Sequence, residues 1–144
     1  MTYYPKRPVT SFQDLEVYQK LLNIAVVVVK RVPKDANIPL VKDLHEQILI
    51  LPVSIGEAHS LRFGDTPRAL KILEEIMVGC NKTIAYLELY RDLYSTVSED
   101  GAMFIEEQTK SIIATRFKVL HLQRSWAKFT PSGIKTGAPY EKSK

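Results

Sequence analysis

SEDGAMFIEEQTKSIIATRFKVLHLQRSWAK, residues 98–128, is the stretch on which the fold turns. Ile105, Ile112, Val119 and Trp126 stand seven residues apart, and Ile113, Leu120 and Ala127 repeat the spacing one position over. Apolar positions recurring every seven residues mark a helix packed against others in a bundle. Ser98 supplies an N-cap, and Glu99 and Asp100 put negative charge in the first turn, where the helix dipole favours it. A helix of this length spans roughly 45 Å at 1.5 Å per residue.

Upstream, Gly64-Asp65-Thr66-Pro67 reads as a loop and cap, with Thr66 as N-cap and Pro67 at the first helical position. It opens a third helix expected to reach about Thr96. Asn37-Ile38-Pro39 starts a second helix that should run to about Phe63, with Pro52 predicting a kink or break because proline removes one backbone donor. The first helix is expected from about Ser11 to Val32, with Ser11 and Asp14 spaced as a capping box. Within it Leu15, Leu22 and Val29 recur every seven residues, as do Tyr18, Ala25 and Val32. The run Ala25–Val29 has strand propensity, so helix rests on the pattern around it. Pro33 stops it. Short links between long helices predict an all-α, up-down-up-down four-helix bundle over residues 11–129, preceded by an arm (1–10) and followed by a polar, basic tail (130–144).

The chain has 144 residues, enough for one domain with a single core. Apolar residues make up 45% and charged residues 25%, an ordinary globular balance. The one cysteine, Cys80, excludes an internal disulfide. MTYYPKRPVT has no apolar core of a signal peptide, and the run Leu21–Val29 is well short of the ~20 residues of a membrane span. A cytoplasmic protein without membrane attachment is expected.

Charge is uneven. Residues 1–42 hold seven basic and three acidic side chains, residues 43–109 five and twelve, and residues 110–144 eight and one. The split implies either a polyanion-binding face or head-to-tail self-association. In an up-down-up-down bundle the first and last helices are neighbours, so Lys30, Arg31, Lys110, Arg116, Lys118, Arg124 and Lys128 are expected to share one continuous basic edge that contacts phosphates.

Other chemistry finds little purchase. A di-iron bundle needs Glu-x-x-His pairs and none occurs, while Glu57-Ala58-His59 sets its two groups on different helix faces. Gly56, Gly64 and Gly79 are isolated, so no phosphate loop is formed. No metal and no cofactor is expected. Arg116-x4-His121 resembles the signature of the HEPN ribonucleases, which implies an arginine to stabilise a phosphorane and a histidine as general acid or base. Phe117 stands where a polar residue usually follows that arginine, and the five-residue offset separates the pair around one helix.

Several segments resemble the four-helix-bundle family of 23S rRNA intervening-sequence proteins and the accessory variability determinant (Avd) of diversity-generating retroelements. Phe12-x-Asp14-Leu15-x-Val17-Tyr18-Gln19-Lys20 is similar to the intervening-sequence opening, and Ser54-Ile55 with Gly56-Glu57-Ala58 and Arg62 to a later segment of that branch, shortened by about one turn. Val32-Pro33-Lys34 with Leu40, Leu87-x-Leu89-x-x-Asp92-Leu93, and the closing Ser125-Trp126 lean toward the Avd branch. Asn37 and Glu88 depart from it, standing where basic residues are expected. The resemblance implies a non-enzymatic homopentameric barrel that binds RNA or DNA and partners a reverse transcriptase and its template RNA. The intervening-sequence branch implies instead a helical adaptor of unassigned role.

Overall fold

Four amphipathic helices fold here because each carries an apolar stripe and each is punctuated by residues that stop the backbone. The computed structural model describes residues 11–94 and 98–128. It contains α1 (Glu16–Arg31), α2 (Pro39–Leu61), α3 (Thr66–Leu93) and α4 (Glu99–Lys128), with no strand among the described residues. The expected arm and tail lie outside the described residues.

The helix starts differ from expectation in instructive ways. Ser11 Oγ accepts the Gln13 amide at 3.3 Å and closes a 3-10 turn over Phe12–Asp14, rather than opening the long helix. Leu15 is then extended, with ψ 130°, so α1 begins only at Glu16. At the second link Asp35 accepts the Asn37 amide at 2.9 Å, an Asx turn that delays α2 to Pro39. The cap of α3 is Asp65, whose carboxylate accepts the Arg68 amide at 3.3 Å. Thr66, expected in that role, is the first helical residue, and its hydroxyl donates to the Arg62 carbonyl at 2.7 Å. Ser98 does cap α4, accepting the Gly101 amide at 3.0 Å. Pro52 does not break α2, which runs through it for 23 residues. Ile48, Leu51, Pro52 and Ile55 are all buried, and packing on both sides of the proline outweighs one missing hydrogen bond.

Neighbouring helices pack around a ring, α1 on α2, α2 on α3, α3 on α4 and α4 on α1, while the diagonal pairs stay apart. Cross-links fix an antiparallel sense at three of the four seams, and the fourth, α2 on α3, follows from them. His45 near the start of α2 reaches Val32 beyond the end of α1, and Arg31 at the end of α1 reaches Asp100 at the start of α4. Gln123 near the end of α4 donates to the Leu70 carbonyl near the start of α3 at 2.9 Å. The result is an up-down-up-down four-helix arrangement.

Leu21, Val28, Leu44, Ile48, Ile55, Leu73, Ile76, Leu87, Ile112 and Val119 are fully enclosed at its centre. Each such side chain contributes about 1.5–3 kcal/mol relative to exposure. In α4 the first expected seven-residue series holds, with Ile105, Ile112 and Val119 buried and Trp126 half-buried, whereas in the second Ile113 is 39% exposed and Leu120 and Ala127 are only half-buried. In α1 it shifts: Val17, Leu21, Ile24, Ala25 and Val28 face inward, and Leu22, one position further round, is 42% exposed. Between α2 and α3 the packing at Gly79 leaves no room for a side chain, since a Cβ would lie 2.6 Å from Leu51 Cδ2.

His45 is 3% exposed and donates from Nε2 to the Val32 carbonyl at 2.6 Å, satisfying a carbonyl that the end of α1 leaves open. The change His45→Leu keeps an apolar side chain but orphans that oxygen. It is expected to lower unfolding free energy by about 1–3 kcal/mol, read from urea midpoints.

Candidate nucleic-acid interface

The seven expected phosphate-binding cations do not share one face. At about 100° per residue, positions 103, 110, 117, 121, 124 and 128 of α4 fall on a single stripe pointing away from the core. Met103, Lys110, Phe117, His121, Arg124 and Lys128 are accordingly all exposed. Lys110, Arg124 and Lys128 thus stand together, with an aromatic ring and an imidazole between them. Lys110 is also within 3.8 Å of Glu106, an i,i+4 pair exposed enough for water and salt to screen.

Arg116 and Lys118 leave that stripe in opposite directions. Arg116 turns toward α3 and lies near buried Cys80, with its Nε enclosed and no acceptor for it among the described residues. Its guanidinium stacks over Phe117 at 4.9 Å. Lys118 turns toward α1 and meets Glu16 at 3.5 Å, and Lys20 meets the same carboxylate at 3.8 Å. Arg31 is likewise engaged, bonded to Asp100 at 3.1 Å and stacked on Phe104 at 4.3 Å. Lys30 is exposed on the outward side of α1. The seam between α1 and α4 is therefore lined with ion pairs, and the unengaged positive charge lies on the outer ridges beside it. A cleft of about 150 Å³ in that seam is bordered by Lys20, Asn23, Ser111 and Lys118.

Arg116 and His121, the pair that a ribonuclease would bring to one phosphate, are about 140° apart around α4. Arg116 faces α3, whereas His121 is exposed beside Leu15, Glu16 and Val17 at the start of α1. Cys80 is fully buried, and burial pushes its thiol up to about 12 despite the nearby charge of Arg116. Among the described residues no group of three His, Cys, Asp or Glu side chains is arranged to hold a metal ion, and no helix is long and apolar enough to cross a membrane.

A second set of side chains gathers at the end of the bundle where α2 gives way to α3. Arg62 donates to the His59 carbonyl at 2.6 Å, and its guanidinium lies 4.3 Å above the Phe63 ring. Phe63 is 73% exposed. Trp126 of α4 brings its ring to 6.3 Å from that of His59, which places the end of α4 against this corner. Sequence patterning gave no sign of it, because Arg62 and Phe63 fall beyond the periodic part of α2. The outward stripe of α4 was more accessible: Lys110, Phe117 and Arg124 repeat every seven residues, on the side of the helix opposite the apolar heptad.

His59 is buried, and burial together with the adjacent Arg62 charge holds its pKa below the ordinary histidine value. The folded chain therefore takes up this proton less readily than the unfolded one, so its contribution is intact at neutral pH and lost as pH falls through the histidine range. Between pH 7.5 and 5, His59→Gln is expected to lose less stability than the parent protein, as judged by the shift in urea midpoint. An equal loss in both excludes this account.

In comparisons with known proteins, no family model, no curated protein and no solved structure matches the chain.

Proposed function

We propose that the chain is a non-enzymatic, nucleic-acid-binding accessory protein of a diversity-generating retroelement, acting as a homopentamer alongside a reverse transcriptase and its template RNA. The observation that carries the nucleic-acid part is the outward stripe of α4. Lys110, Arg124 and Lys128 project from one helix face with exposed Phe117 and His121 between them. From residue 110 to residue 128 the stripe extends about 27 Å at 1.5 Å per residue. That is enough to follow roughly eight nucleotides at 3.4 Å per step of one strand. Lysine and arginine on a straight ridge contact backbone phosphates without reading bases, and the ring between them offers a surface for stacking. The retroelement context, the reverse transcriptase and the template RNA come from the sequence resemblance.

Self-association is supported by two separate apolar faces. The antiparallel register of α1 and α2, anchored at His45 and Val32, puts exposed Leu22 and Val26 within two residues of the levels of exposed Val53 and Leu49. On the other side of the bundle Val78 of α3 and Met103 and Ile113 of α4 are exposed. Two different patches on opposite sides suit a head-to-tail contact, and such contacts close into rings when the rotation permits. A ring also covers aliphatic side chains that one chain leaves in water.

The test combines mass and salt. Light scattering is expected to give about five times the 16.4 kDa of one chain. Binding to a structured RNA is expected to weaken steeply as salt rises from 50 to 200 mM, because released counterions drive it. Replacing Lys110, Arg124 and Lys128 together by Gln should flatten that dependence while leaving the mass unchanged. Salt-independent binding, or a monomer at all concentrations, would sink the corresponding half of the proposal.

A further inference from the structure

The seam between α1 and α4 is the least closely packed of the four, and short side chains meet in it. Ser111 and Ala114 of α4 stand across from Lys20 and Asn23 of α1, and between them lies the cleft of about 150 Å³. Buried Ile24 and Thr115 close its floor. The spacing is helical on both sides: Lys20 and Asn23 are one turn apart on α1, and Ser111, Thr115 and Lys118 follow at steps of four and three along α4. The volume is several times the ~30 Å³ of a water molecule but well below the ~300–1,000 Å³ of pockets that enclose whole organic ligands. It suits one small polar group and is too small for a base with its sugar.

The cleft is rich in donors. Lys20 and Lys118 each offer three N–H groups and no acceptor. The Asn23 amide and the Ser111 hydroxyl also donate, and among the described residues neither side chain has a hydrogen-bond partner. Thr115 gives its own proton to the Ser111 carbonyl at 2.8 Å, which occupies that acceptor. Charge is unbalanced in the same direction. Lys20 lies 3.8 Å and Lys118 3.5 Å from one oxygen, Oε2 of Glu16. A single carboxylate thus gathers two ammonium groups and cancels only one of them. All three side chains are about half exposed, so water screens the pairs and the ammoniums can exchange this partner for a better one.

We infer that the cleft binds one tetrahedral oxyanion of the phosphate class, held between Lys20 and Lys118 with Asn23 and Ser111 as neutral donors. A phosphate group carries about −1.5 to −2 at pH 7 and at least three acceptor oxygens, enough to meet both ammoniums and the two neutral donors. Glu16 positions the lysines and is the competitor that the anion displaces. Two sources share this chemistry, free inorganic phosphate and the terminal phosphate of a nucleotide chain. The site lies apart from the outward stripe of α4 and does not depend on the nucleic-acid reading.

Isothermal titration of the full chain with inorganic phosphate tests it, at fixed ionic strength and at two temperatures so that a vanishing enthalpy does not hide binding. One phosphate per chain is expected. Lys118→Gln should weaken binding roughly tenfold, as for the loss of one charge-assisted hydrogen bond. Asn23→Ala with Ser111→Ala keeps every charge and should still weaken it several-fold. Glu16→Gln should tighten it, because both ammoniums are then left to the anion. Arg124→Gln with Lys128→Gln, outside the cleft, should change nothing. The replaced side chains are wholly or partly exposed, and circular dichroism with an unchanged urea midpoint verifies the fold. An oligonucleotide with a terminal phosphate, set against the same strand ending in a hydroxyl, separates the two sources. A preference for the phosphorylated end that Lys118→Gln abolishes assigns the site to chain ends, and equal binding of both strands assigns it to free phosphate. The inference is overturned if the parent binds no inorganic phosphate, if the neutral double variant binds it as tightly as the parent, or if the Arg124 and Lys128 variant weakens it as much as Lys118→Gln does. Each of those results leaves the salt-dependent stripe and the oligomer to stand or fall on their own tests.

Discussion

Helices of 16 to 30 residues do not hold together in water on propensity alone, and here each is retained by the apolar stripe it shares with two neighbours. Enclosure of Leu21, Leu44, Ile48, Leu73, Ile76 and Ile112 is the term on which every other feature depends. It fixes the rotation of each helix about its axis, and with that rotation it fixes which charges meet and which face water. Arg116 is drawn toward α3 and Lys118 toward α1 because Ile112, Thr115 and Val119 between them must point inward.

Much of the architecture was legible from spacing. The helix count, the up-down-up-down order and the α4 core stripe follow from recurring apolar positions and from Ser98, Pro33 and the Gly64–Pro67 punctuation. What escaped were choices between adjacent residues. Leu22 and Leu21 differ by one step, and only the position of both neighbouring helices decides which is buried. Asp65 and Thr66 are both competent caps, and the one whose backbone stays outside the helical region takes the role, leaving Thr66 to bond back to Arg62. At Pro52 the helix is unbroken, a local rule overridden by packing.

Charge was the least legible property. Counting basic residues at the two ends anticipates a positive edge, but pairing is a matter of reach across a seam. Glu16 is one carboxylate serving two lysines, Lys20 and Lys118, and Asp100 serves Arg31 from the far end of α4. These acids belong to the seam and divide the expected edge into ridges. Arg62 and Phe63 carry no periodic signal at all; their arrangement depends on the carbonyl of His59 at the end of a helix, a group that sequence does not display.

Cys80 offers a practical consequence. It is the chain's one cysteine, it sits between helices with no exposed surface, and its proton is held to about pH 12. Maleimides and other thiolate-directed dyes therefore have nothing to react with on the folded protein. A cysteine placed at any solvent-facing position along α4 becomes a unique handle, so spectroscopic rulers can be attached one site at a time without first removing the native thiol.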